Sequence, residues 1–324
     1  VDGLGWSLTV VAARHPANPL TQMAIEANIV SRNGKELCRL TLDQDATVSE
    51  LKKEFYRQNP KYPTCRQYFT VGSGVDRVAL KNDKTQLSQY LNVQGASPIT
   101  IAFKDLGPQV AWRTVFLVEY AGPLFVHLLV FFLPSLFYSV PVKSRHPIQW
   151  IALLLAVLHY VKRELETIFV HRFSTGTMPI MNIFKNSFHY WGLGGLFIAY
   201  FVYHPLYTPT VSLNTAYICA GVFIAAMLSN LHCHIILMNL RPAGSTIRRI
   251  PKGFLFEFIS CPNYFFEIVA WSAFAVLTGA LTSFFFVLVS AGQMYIWAIN
   301  KHKAYRKEFP DYPKGRRALI PFVV

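Results

Sequence analysis

Asn263, Tyr264 and Glu267 fall within about one helical turn of one another in the stretch SCPNYFFE at 260–267, near the head of the largely apolar run 254–278. Pro262 suits the first turn of a helix, where the N–H it lacks would have had no partner. An ionisable side chain in a membrane-length segment costs about 2.5–3.5 kcal/mol on insertion scales, so Glu267 is expected to face a partner or a wet cavity. A lone polar residue at such depth reads as glue between helices. Three in one turn read as a ligand site.

A second group lies upstream. At about 100° per residue, His159, Lys162, Arg163 and Glu166 share one helical face, and Tyr160, Glu164 and Thr167 share the next. Two readings are open: an ion-pair ladder at a helix end, with Lys and Arg snorkelling to the headgroups, or the polar wall of a cavity. Glu119, followed by Gly122 and Pro123, is either interfacial or part of such a wall. Gly192, Gly194 and Gly195 match no dinucleotide-binding fingerprint and read as close helix packing. His232 and His234 lie about 200° apart on a helix and cannot share one ion, so no metal site is expected.

The elements that must position these residues follow from composition. The chain has 324 residues, a net charge of +14, 52% hydrophobic and 15% aromatic residues. Residues 1–105 carry 13 Lys/Arg against 10 Asp/Glu, an ordinary soluble balance; residues 106–324 carry 18 against 7 and hold the long apolar runs. There the basic residues crowd into loops between spans, which points to membrane topology and anionic ligands rather than nucleic acid. Five cysteines (38, 65, 219, 233, 261) without CxxC spacing suggest reduced thiols. The beginning of the sequence reads as carrying no cleavable signal, so a transmembrane helix is expected to direct insertion.

Residues 1–18 read as a flexible tail. A strand from about residue 22, an Asn33-Gly34 hairpin turn, a returning strand over 37–42, a helix capped by Thr47 with Glu50 at the capping-box position, and strands at 67–71, 78–80 and 98–103 predict a ubiquitin-like β-grasp domain over 19–105. It is expected to dock or stabilise. Beyond the 105–108 linker, six apolar spans are read at about 111–138, 148–170, 187–203, 211–231, 254–278 and 280–299. The fold class is thus a multi-span α-helical membrane protein with about six transmembrane helices and an N-terminal β-grasp domain. Thirteen loop and tail cations lie on the side of that domain against Lys143 and Arg145 on the other, which predicts that both termini are cytosolic.

At this point whole blocks carry a resemblance: SCPNYFFEIVAW at 260–271, LRPAGS at 240–245, HYVKRELETIFVHRFSTGTMP at 159–179, NIFKN at 182–186, HPLYTP at 204–209 and KHKAYRKEFPDYPKGRRALIPF at 301–322. Together they resemble the very-long-chain trans-2-enoyl-CoA reductases of the steroid 5α-reductase family, over essentially everything from Gln22 onward. The resemblance implies a multi-pass endoplasmic reticulum enzyme that uses NADPH to saturate the C2–C3 double bond of a long-chain trans-2-enoyl-CoA, the last step of fatty-acid elongation, with other elongation enzymes as partners. It implies catalytic roles for Tyr264 and Lys162, substrate contacts from Glu119 and Tyr160, and cofactor contacts from Asn230, Arg241, Asn263, Glu267, His302 and Tyr305. The sequence departs from the steroid branch at His234, where that branch has a carboxylate, and at Lys301, where it has histidine. Reduction of a steroid enone or a polyprenol, a silent paralogue, a membrane methyltransferase and a membrane-anchored adaptor are the rival readings.

The chemistry agrees with these residue types. Hydride addition at C3 of an enoyl thioester builds negative charge on the thioester oxygen and C2, calling for a donor near the oxygen and an acid for C2. Tyr264 is expected to be that acid, with Lys162 close by. Arg241, Arg248, Arg249, Lys252 and the tail cations suit two polyanionic ligands.

Overall fold

The computed structural model describes residues 24–72, 77–90, 98–173, 176–240 and 248–323. The chain divides into two compact units, Val1–Gly107 and Pro108–Val324. Residues 1–18 and Met23 lie outside the described residues.

In the first unit, β1 (Ile25–Ser31) and β2 (Glu36–Leu42) form an antiparallel hairpin whose turn needs Gly34 at φ +79°. Helix α1 (Val48–Gln58) starts on the expected capping box: the Glu50 N–H donates to Thr47 Oγ1 and the Thr47 N–H donates to Glu50 Oε2. Its stripe Val48, Leu51 and Phe55 is buried. Strands β3 (Gln67–Val71), β4 (Val78–Ala79) and β5 (Ile99–Asp105) complete a sheet of order β2-β1-β5-β3-β4, with β1 and β5 parallel. A hairpin, a crossover helix and a last strand inserted beside the first make this a ubiquitin-like β-grasp. Phe55, Phe69 and Phe103 fill its core, with ring centroids 4.8–5.7 Å apart.

The second unit opens with β6 (Gln109–Ala111), paired antiparallel to β7 (Thr177–Pro179). Helix α2 (Trp112–Phe132) follows directly and carries Pro123, which leaves the carbonyl four residues back without its usual donor. Helix α3 (Pro147–Leu165), capped by the His146 side chain, widens into a π turn at Glu166–Val170. Next come α4 (Met181–Ser187), a π-helical stretch (Phe188–Phe197) and α5 (Ile198–Val202), one continuous path with altered pitch. Three helices complete the unit: α6 (Leu213–Asn239), α7 (Pro262–Thr278) and α8 (Leu281–Glu308).

Among the described residues, α2, α6 and α8 are long and apolar enough to cross a membrane. The other three expected spans depart from that pattern for physical reasons. Helix α3 ends in Lys162, Arg163 and Glu164, the 187–203 run belongs to the π-interrupted path, and α7 begins only at Pro262 and has 17 residues. Many large apolar side chains face outward, with Leu281 82% and Phe169 73% exposed, as suits contact with lipid.

At the end of the bundle near Arg145, side chains close the open helix ends. Arg145 donates to the carbonyls of Phe131 and Tyr203, and Gln149 donates to those of Val202 and His204. The Phe131, Val202 and Tyr203 carbonyls lie at the C-terminal ends of α2 and α5, where helix carbonyls lack intrahelical donors, and the His204 carbonyl belongs to the turn that follows α5.

Candidate active site

The shared face of α3 points into the bundle. Glu166, 1% exposed, is its hub: Oε2 lies 2.7 Å from Arg163, and Oε1 lies 3.0 Å from both Lys162 Nζ and His234 Nδ1. Arg163 also donates to the Tyr120 hydroxyl at 2.6 Å and sits over that ring. There is an ion-pair ladder, but it is buried against α2 and α6 rather than snorkelling to the headgroups.

Lys162 ties this hub to α7. Its Nζ donates to Asn230 Oδ1, and Asn230 Nδ2 donates at 2.8 Å to the backbone carbonyl of Asn263. The Asn263 side chain is buried and, among the described residues, its Oδ1 has no partner. Four residues on, the Glu267 Oε1 lies 3.1 Å from His159 Nε2 and accepts from the Trp271 indole N–H at 3.2 Å. Asn230 and His234 on α6 and Asn263, Glu267 and Trp271 on α7 are each spaced by four, so each helix presents one polar stripe.

A second layer covers the head of α7. Ser260 Oγ contacts His302 Nδ1 and the Tyr312 hydroxyl, each at 2.7 Å, and donates to the Arg317 carbonyl. The Ser260 and Cys261 N–H groups donate to the carbonyls of Arg317 and Ala318, so the tail lies as a strap beside the SCPN segment. Tyr305 stacks on Tyr312 with centroids 5.4 Å apart.

The structure thus brings Lys162, Asn230, Asn263 and Glu267 together in one largely buried cluster, Glu267 keeping part of its side chain exposed, with His302 and Tyr305 in the adjoining layer. Glu119 is buried and accepts from Asn186 Nδ2 at 2.5 Å. Tyr160 is fully buried, with its hydroxyl 3.5 Å from the Gly194 carbonyl. A Cβ at Gly194 would come within 2.8 Å of that hydroxyl, so this glycine serves close packing. Arg241 lies outside the described residues.

Tyr264 and Lys162 engage different neighbours. Among the described residues, no hydrogen bond or ion pair joins Tyr264 to Lys162. Its ring neighbours are Trp297 at 6.2 Å and Lys301 Nζ at 5.6 Å, because Tyr264 turns toward α8 while Lys162 is drawn to Asn230 and Glu166.

Glu166, His171 and His234 stand close enough together to hold a metal ion. Lys162 and Arg163 already neutralise that carboxylate, and two cations beside it disfavour a third positive charge. The reading missed Tyr120, Asn186 and Tyr312, whose positions carry no periodic signal. Trp271 was detectable, standing four residues after Glu267 on the same face.

These features define a membrane-helix bundle with a hydrogen-bonded, charged site between its helices, preceded in sequence by a β-grasp unit. The 3-oxo-5-alpha-steroid 4-dehydrogenase family model matches residues 176–324. A very-long-chain enoyl-CoA reductase of Dictyostelium discoideum is 46% identical over 307 residues, covering 93% of this chain and 100% of the relative. A trans-2,3-enoyl-CoA reductase-like protein of Mus musculus is 34% identical over 98% of this chain and 88% of its own length, and its Homo sapiens counterpart is 33% identical over 90% and 81%. The chain belongs to the very-long-chain enoyl-CoA reductase family. A solved ubiquitin-like domain from Arabidopsis thaliana is 17% identical over 29% of this chain and 88% of that one, at a TM-score of 0.22; the β-grasp assignment rests on strand order alone.

Proposed function

We propose that the protein reduces the C2–C3 double bond of long-chain trans-2-enoyl-CoA with NADPH, as the last step of very-long-chain fatty-acid elongation. The observation that carries this reading is the cluster Lys162–Asn230–Asn263–Glu267, in a chain 46% identical over 307 residues to a relative that bears the reductase name. The residues present fit a nicotinamide cofactor. Asn263 Oδ1 is a buried acceptor without a donor, and a carboxamide N–H would satisfy it.

In this reading Asn230, Asn263, Glu267, His302, Tyr305 and Arg241 hold the cofactor. NADPH, when bound, supplies the hydride for C3. Tyr264 donates its phenolic proton to C2, and Lys162 keeps Asn230 oriented toward α7 and adds positive charge near the developing anion. Glu119 and Tyr160 face the substrate. The apolar bundle keeps bulk water from the reacting atoms.

The same reading takes the chain as crossing the endoplasmic reticulum membrane six times, α3, the π-interrupted path and α7 adding to the three apolar helices, with both termini cytosolic. Residues 19–105 form a docking or stabilising domain, 106–324 the catalytic domain, and other elongation enzymes are its partners. The steroid dehydrogenase match favours one rival, reduction of a steroid enone.

The deciding experiment follows NADPH consumption by the purified full chain with a long-chain trans-2-enoyl-CoA and, separately, a 4-ene-3-ketosteroid. Turnover of the thioester alone supports the proposal. Turnover of the steroid alone, or of neither, overturns it. Tags at both termini accessible after selective permeabilisation of the plasma membrane support the topology, and a protected terminus rules it out.

A further inference from the structure

The environment of Glu267 contains a feature that cofactor binding alone does not require. Both donors that reach this carboxylate meet the same oxygen: His159 Nε2 lies 3.1 Å from Oε1, and Trp271 Nε1 donates to Oε1 at 3.2 Å. Among the described residues no donor meets Oε2, and the Glu267 side chain is one-fifth exposed.

His159 is the unusual partner. A carboxylate only accepts, so the ring hydrogen sits on Nε2 and the lone pair on Nδ1. That Nδ1 is buried and, among the described residues, has no partner. The ring is 2% exposed and packed against Trp271, Tyr160 and Phe223, with centroids 4.9, 5.3 and 6.0 Å away. A residue needed only to fill this space would be apolar, because a sealed acceptor without a donor is unfavourable. The imidazole is accounted for by its other nitrogen, held by three rings on the line to Oε1.

We infer that His159 and Trp271 are positioning residues that lock the Glu267 carboxylate through Oε1 and so present Oε2 to the carboxamide of the bound nicotinamide. The inference rests on the NADPH reading above and adds how the carboxylate is aimed. With both donors on one oxygen, the carboxylate cannot swing to place Oε1 in the site without breaking two hydrogen bonds. Trp271 stands four residues after Glu267 on α7, so its N–H is held by the helix itself. His159 comes from α3, so the orientation of Glu267 also depends on the packing of α3 against α7.

The test is equilibrium NADPH binding to the purified full chain in nanodiscs, with the thermal melt of each variant recorded without ligand. His159→Leu keeps an apolar filler and removes the donor; NADPH binding is expected to weaken tenfold or more. His159→Gln returns an N–H near the position of Nε2, and affinity is expected within about threefold of the unmodified protein. Trp271→Phe removes only the indole donor and its fused ring, with an expected loss of several-fold. Unmodified affinity in His159→Leu overturns the inference, as does equal loss in folded Leu and Gln variants, which would mark a packing role. Should His159→Leu not fold, Trp271→Phe decides, and unchanged affinity there overturns it. An unmodified protein that does not bind NADPH overturns the functional reading itself, an outcome distinct from any difference among the variants.

Discussion

The Arg163 guanidinium and the Glu166 carboxylate meet at 2.7 Å, between side chains that are 12% and 2% exposed. Lys162 and His234 share the other oxygen of the same carboxylate. Removing one member of a buried charge network leaves the others without compensation, at a cost of about 3–5 kcal/mol. Glu166→Ala should therefore lower the unfolding midpoint of the purified protein in nanodiscs far more than Glu36→Ala, whose partner Arg39 is 71% exposed. Equal shifts for the two would show that the network is not structural.

Tyr264→Phe separates acid catalysis from packing, because it keeps the ring beside Trp297 and Lys301 and removes only the O–H. Loss of a general acid should lower kcat by about 10²–10⁴, with NADPH binding nearly unchanged. Near-normal turnover would move the role to another hydroxyl, and Tyr160 would be tested next.

Arg241→Ala should raise the NADPH KM. Losing one charge-assisted phosphate contact corresponds to about 1.5–3 kcal/mol, while the KM for NADH, which lacks the 2′-phosphate, should change little. A parallel rise for both cofactors would remove Arg241 from phosphate recognition.

Gly279 closes α7 in the left-handed region at φ +59°, and a Cβ there would stand 1.8 Å from Thr210 Oγ1. Gly279→Ala combines about 1–2 kcal/mol of backbone strain with that clash. Thermal unfolding should fall clearly below that of Gly221→Ala, where a Cβ meets no atom within 4 Å.

In the β-grasp unit, the hydrogen bond from Arg66 holds the Asp105 carboxyl below its usual range. A depressed carboxylate stabilises the fold above its unfolded pKa, near 3.9, and that contribution is lost as pH falls through the folded value. Asp105→Asn should therefore increase amide exchange in β5 relative to the unmodified chain at pH 7. Compared at matched pH, the difference should shrink as the pH is lowered below about 4. A difference that persists unchanged in acid would assign the effect to something other than this charge.

How much of this was legible in the sequence depended on whether the signal was local. The Thr47–Glu50 cap and Pro262 at the head of α7 depend on a few neighbouring residues, and each appears where read; the hairpin turn falls at Asn33-Gly34 but as a three-residue loop closed between Ser31 and Lys35, with Gly34 and not Asn33 at positive φ, rather than as the expected two-residue turn. The α3 face was legible because helical periodicity alone aligns His159, Lys162, Arg163 and Glu166. Its burial was not, because that depends on Tyr120 and His234 arriving from other helices. Tyr264 illustrates the same limit. Its place on α7 was correct, but which cation stands beside it was decided by Asn230, far away in sequence, which engages Lys162 and leaves Lys301 at the ring. The π-helical stretch had no readable cue, since its composition is that of any apolar span.

The strap that joins Ser260 to Arg317 bears on biosynthesis as well as on the finished site. The two residues are 57 positions apart, and α7 and α8 lie between them. A ribosome that has just released α7 into the membrane has therefore supplied Asn263 and Glu267 but not the segment that covers the head of their helix. During translation of α8 and the residues that follow, the Ser260 and Cys261 N–H groups must find water or a chaperone in place of Arg317 and Ala318. Maturation of the site is thus timed by the passage of Arg317 through the exit tunnel, and a stall before that point would leave an inserted bundle with an uncovered polar face.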